Sequence, residues 1–171
     1  MSFPLASACL AAALVLVASS AASLAQAPTT CTSVALRDPP RTAIRCPGGL
    51  VFEVEAASAL RISAPASGGP PTSAEIEGRA ALIDLRTRRS FQIRTPHAIA
   101  SVRGTVYAVD VTPKATAVFV VEGEVEVARR RGTGRVTLGP GEGVDVVPGE
   151  ALTVRRWPEP RVRALLSRFG L

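Results

Sequence analysis

Between Leu50 and Arg155 no apolar run keeps a helical period, and glycine or proline turn signals interrupt the chain roughly every ten residues. That punctuation limits the chain to short extended segments. Leu50-Val51-Phe52-Glu53-Val54-Glu55 alternates, with Phe52 and Val54 on one face and Glu53 and Glu55 on the other, the period of a half-buried strand. Further strands are predicted at 81–85, 90–94, 105–111, 115–121, 124–128, 135–138, 144–147 and 152–155. The turn signals between them are Thr87-Arg88-Arg89, Thr112-Pro113-Lys114, Glu122-Gly123, Gly132-Thr133-Gly134, Gly139-Pro140-Gly141 and Pro148-Gly149. Ser67-Gly68-Gly69-Pro70-Pro71 marks an exposed loop. The pattern predicts an all-β fold of short stacked or twisted antiparallel strands, solenoid-like or jelly-roll-like. The C-terminus differs. Val162, Leu165, Leu166 and Phe169 fall on one helical face, and Pro160 suits the first helical position. Residues 157–171 are therefore expected to form a short amphipathic helix that covers one end of the β core.

The N-terminus carries a different signal. No charged residue precedes Arg37, and Leu10–Ala18 is continuously apolar. Small residues follow, and Ala25-Gln26-Ala27 has the form of a cleavage site, so residues 1–27 read as a secretory signal peptide. The alternative is an uncleaved anchor in the inner membrane, since the stretch is long enough to span. Cys9 lies before most of the apolar run and is not placed like a lipoprotein cysteine. Export predicts a periplasmic or secreted protein in an oxidising compartment. Cys31 and Cys46 then form an even pair, expected as a disulfide stapling an irregular loop over residues 28–49 with at most one strand.

The chain offers little for catalysis. His97 is the lone histidine. Ser101 and Asp110 are its conceivable partners, but spacing gives no reason to expect the orientation that nucleophilic catalysis needs. One histidine and two cysteines do not make a zinc site, and no cofactor is expected. The acidic pairs Glu53/Glu55, Glu75/Glu77 and Glu124/Glu126 alternate as solvent-face patterning would. The formal charge is +6, and Lys114 is the one lysine among twenty basic residues. Arg129-Arg130-Arg131-Gly132-Thr133-Gly134-Arg135 reads as a basic hairpin tip, so Arg129, Arg130, Arg131 and Arg135 are candidate contacts for an anion or a partner. Nucleic acid is not expected, because no aromatics interleave the arginines.

Several motifs cluster between Gly78 and Val154. They are Phe91-Gln92-Ile93-Arg94-Thr95-Pro96, the Val102-Arg103-Gly104-Thr105 corner, Val109-Asp110-Val111, the Val120-Val121-Glu122-Gly123 turn and Leu138-Gly139-Pro140-Gly141-Glu142. Together they resemble the FecR domain, with Thr95, Pro96, Val102, Arg103, Gly104, Thr105, Glu122 and Gly123 as its motif residues. The resemblance implies an extracytoplasmic all-β module, here residues 50–156, that binds and relays without chemistry. FecR-type regulators place a cytoplasmic segment before a membrane span and control a sigma factor with it. Few residues precede the apolar run here, which predicts no sigma-factor contact. The expected function is a non-catalytic exported binding module, an accessory to envelope signalling or assembly, whose partner is an envelope protein or polymer. Weak membrane-surface contact through residues 160–169 is also considered. Two rivals stand beside this reading. One is an arginine-rich binder of anionic envelope polymer or glycan. The other is a cupin-like enzyme lacking its metal site, since Val121–Gly149 also resembles a cupin in its turns.

Overall fold

The structure is a computed structural model that describes residues 30–171; the expected signal peptide lies outside them. Twelve strands form one sheet, mostly antiparallel and not closed. The strands are β1 (Thr32–Arg37), β2 (Pro40–Cys46), β3 (Leu50–Glu55), β4 (Ala59–Ser63), β5 (Ser73–Glu77), β6 (Arg79–Arg94), β7 (Ala98–Val111), β8 (Thr116–Glu122), β9 (Val125–Arg129), β10 (Arg135–Leu138), β11 (Glu142–Val146) and β12 (Arg155–Arg156). A helix α1 (Glu159–Leu166) and a 3-10 turn over Ser167–Phe169 end the chain. The fold class is the one expected from the sequence.

The long β6–β7 hairpin organises everything else. The first half of β6 pairs with β3, and the second half of β7 pairs with β8. At the hairpin's other half, β5 adds to β6 in parallel and β9 adds to β7. The result is two leaves that share the same two strands: β1-β2-β3-β6-β7-β8-β11-β12, and β4-β5-β6-β7-β9-β10. Between them the pairing jumps from Leu85↔Thr105 to Ser90↔Arg103, so Arg86–Arg89 stand opposite Gly104 alone. Such a bulge bends and twists a ribbon. The predicted turn at Thr87-Arg88-Arg89 is thus a fold line inside one continuous strand. Core-facing residues of β7 switch there from Ala98, Ala100 and Val102 to Tyr107, Val109 and Val111.

Folding the sheet over places both leaves around one apolar core. Phe52 from the first leaf meets Phe91 from the second edge-on, with centroids 5.9 Å apart, a favourable aromatic geometry. Gly123 locks the fold line. Its φ is +86°, and a Cβ there would lie 2.7 Å from the Gly104 carbonyl oxygen. The Tyr107 hydroxyl lies fully buried in the core without a hydrogen-bond partner among the described residues. Burial pushes its phenol well above the ordinary value.

One N-terminal expectation needs correction. Residues 32–46 are not an irregular loop but a regular hairpin, with Thr32↔Arg45 through Arg37↔Pro40 in unbroken register. The Cys31–Cys46 disulfide is present and joins the next opposed positions. β1 is an edge strand, exposed along most of its length, so it lacks the one-sided apolar alternation that would reveal it in sequence.

The C-terminal helix covers a sheet face and not an end. Because strands alternate, the first leaf has a second apolar face: Ala80, Leu82, Val106, Ala108 and Phe119. Trp157, Leu165 and Phe169 seal it, with Trp157 stacked on Phe119 at 5.1 Å. The helical apolar stripe is therefore occupied, which removes the basis for membrane-surface contact through residues 160–169. The helix begins at Glu159, placing Pro160 second. Arg161 lies over the Trp157 ring at 3.5 Å and forks onto Asp145 at 3.0 and 2.5 Å. Arg168 ties the helix end to the sheet through Asp110 at 2.7 Å and through Glu55. Burial alone would raise the Glu55 carboxyl. The hydrogen bonds from Arg168 and the Ala80 amide, with the charges of Arg168 and Arg79, outweigh it and hold that group below the ordinary carboxylate value.

Three outcomes follow for unfolding measured in urea. Gly123→Ala forces a left-handed backbone and a clash, and should lower stability by about 2–4 kcal/mol. Tyr107→Phe removes an unpaired buried hydroxyl and should raise stability by about 1 kcal/mol. Arg168→Ala should lower it by about 2–3 kcal/mol. A depressed carboxyl stabilises above its unfolded value and ceases to do so as pH falls through its folded value. The wild type should therefore lose stability below about pH 4, and Arg168→Ala should flatten that acid limb.

Candidate functional site

The fold line closes one end of the sandwich, and the other end is its mouth. Three loops meet there: the 95–98 turn joining β6 to β7, the β9–β10 tip, and the chain leaving β11. Thr95 shapes the first. Its amide donates to the Ala98 carbonyl at 2.9 Å, and its hydroxyl accepts the Ala98 amide at 2.9 Å. Pro96 follows, favouring the extended conformation before it. The buried Thr95 hydroxyl also lies 2.9 Å from the hydroxyl of Thr116, at the start of β8 in the other leaf. His97 Nδ1 lies 3.1 Å from the same Thr116 oxygen. A hydroxyl chain thus joins the leaves at the mouth.

A groove of about 720 Å³ opens over this junction. Pro96 and His97 form its floor. Arg129, Arg131 and the Gly132-Thr133 tip form one wall; Val146 and the Pro148-Gly149 turn form the other. Arg129 Nη1 donates to the Val147 carbonyl at 3.1 Å, tying the walls together. No carboxylate lines the groove. Arg129 and Arg131 form no ion pair among the described residues, and Arg131 is exposed. The arrangement is electropositive and half apolar, suited to recognition.

The four candidate arginines therefore separate. Arg129 and Arg131 face the groove. Arg130 binds Glu75 at 2.8 Å and the Thr95 carbonyl at 3.1 Å, bracing the turn. Arg135 pairs with Glu126 at 3.5 Å along the hairpin. The motif residues separate as well. Thr95 and Pro96 build the mouth. Val102, Arg103, Gly104, Thr105, Glu122 and Gly123 build the fold line. There Arg103 Nε donates to the Arg88 carbonyl at 3.2 Å, and the Thr105 hydroxyl donates to the Glu124 carbonyl at 3.0 Å. Glu122 meets Arg86 at 3.4 Å on the surface.

The conceivable partners of His97 are engaged elsewhere. The Ser101 hydroxyl accepts from Gln92 at 3.2 Å, and Asp110 binds Arg168 on the helix-covered face. Among the described residues no group of three or more His, Cys, Asp or Glu is placed to hold a metal ion. No helix among them is long and apolar enough to cross a membrane. Thr116, Val146 and Pro148-Gly149 were not legible as site residues. Pro148-Gly149 read only as a turn, and nothing local says that it faces the basic tip.

A family model described as FecR protein matches residues 32–126. Two crystal structures of a candidate anti-sigma factor from Parabacteroides distasonis ATCC 8503 share the fold at 22% identity. One has a TM-score of 0.63 and covers 80% of this chain and 64% of that one. The other has a TM-score of 0.62, with 79% and 64% covered. The chain thus spans less than two thirds of the length of those structures. No curated protein matches it. The family match overturns the expectation of no sigma-factor contact, which rested on the short stretch before the apolar run: the FecR family points to regulation in a sigma-factor pathway.

Proposed function

The chain belongs to the FecR protein family, and from that premise we propose that it is an exported, non-catalytic binding module acting in sigma-factor-pathway regulation at the cell envelope. The match over residues 32–126 carries the reading. Several observations support it. The charge-free apolar N-terminus suits export, and a disulfide suits an oxidising compartment such as the periplasm. The solved structures that share the fold include one assigned as a candidate anti-sigma factor. The lone histidine spends Nδ1 on a hydroxyl chain that joins the leaves, a positioning role, and the motif residues build the bend and the mouth. In this reading the mouth groove is where a protein partner docks.

Deleting the gene in its native host should change the abundance of a sigma-dependent set of transcripts by several-fold. Complementation with the wild type should restore it. An unchanged transcriptome would remove the regulatory reading.

A further inference from the structure

We propose that the mouth groove binds an extended acidic segment of a protein partner, with Arg129 and Arg131 receiving its carboxylates. The inference deepens the binding-module reading and rests on it. Charge gives the first argument. Of the four arginines at the β9–β10 tip, Arg130 and Arg135 are neutralised by Glu75 and Glu126. Among the described residues, the two that line the groove have no such partner, and no acidic residue lines it with them. A guanidinium takes a carboxylate in a planar two-bond fork, the strongest pairing open to it. Arg129 is already fixed through the Val147 carbonyl, so less side-chain freedom is lost when a ligand arrives.

Shape and polarity distinguish a peptide from a simple anion. About 720 Å³ is far more than one oxyanion fills and lies within the usual range of ligand pockets. The chain leaving β11 adds the apolar Val146 and Pro148 to the lining. A phosphate or a sugar polymer would satisfy the arginines and leave those apolar side chains facing water. A peptide alternating carboxylates with aliphatic side chains answers both. The tip also admits a main chain closely: Gly132 has φ +86° and open space where a Cβ would stand.

The test uses the full-length protein and two capped hexapeptides, one alternating Glu with Leu and one alternating Gln with Leu, titrated by calorimetry. The Glu peptide should bind at least about tenfold more tightly and weaken as salt rises. Arg131→Gln should weaken it about tenfold, and Arg129→Gln at least as much. Arg135→Gln, at an arginine already paired with Glu126, should leave it unchanged. Arg131 is exposed, so its variant keeps the wild-type melting temperature and decides the matter even if Arg129→Gln loosens the Val147 contact. Equal affinity for the two peptides, no binding of either, an unaltered Arg131→Gln, or tighter binding of polyphosphate or heparin would each overturn the proposal. The transcript response to gene deletion is read separately. Peptide failure with a positive response would sink the groove assignment and leave the regulatory reading standing. Peptide binding with a silent response would do the reverse.

Discussion

Arg86–Arg89 opposite Gly104 is the constraint on which the rest of the structure depends. A β-hairpin of this length left straight would expose one apolar face along its whole run. Bent at that bulge, it supplies the centre of both leaves and presses their inner faces together, so Phe52 and Phe91 meet. The bend demands close backbone approach, which Gly123 permits by having no side chain. The hydroxyl of Thr105 then joins the next strand at the Glu124 carbonyl. These motif residues are a fold-building device, and their functional weight is indirect: they bring the two ends of β7 to the same mouth.

Much of this was legible in the sequence, and the physical reasons for the rest are specific. β3 alternates cleanly because one face is core and the other is not. The turn at Thr95-Pro96 and the corner at Gly104 were readable because proline and glycine restrict the backbone locally. The disulfide was readable from an even pair of cysteines following a stretch that reads as a signal peptide. β1 was not, because an exposed edge strand has no buried side to set a period, and β2 buries only Ala43 and Cys46. The 79–94 segment read as two strands because a bulge and a turn share the same polar residues. Which of the four tip arginines are held in ion pairs depended on where Glu75 and Glu126 sit, and that is long-range information.

The C-terminal helix shows how a period-two strand can serve two purposes. Leu82 and Phe119 face away from the sandwich, and would be exposed apolar surface without Trp157, Leu165 and Phe169. Arg161 and Arg168 then fasten the cover to Asp145, Asp110 and Glu55. The stripe that suggested membrane or partner docking is consumed within the molecule, and the polar side left outside carries much of the charge.

The Thr95–Thr116 hydroxyl pair spans the seam between the leaves, and Arg129 spans it again at the Val147 carbonyl. An occupant of that seam therefore braces both layers at once, like a keystone. Since the unfolded chain has no seam to fill, occupancy and global resistance to melting become one thermodynamic quantity, rising with the logarithm of free ligand. Heat resistance in cell extracts would then report how much of the protein is engaged.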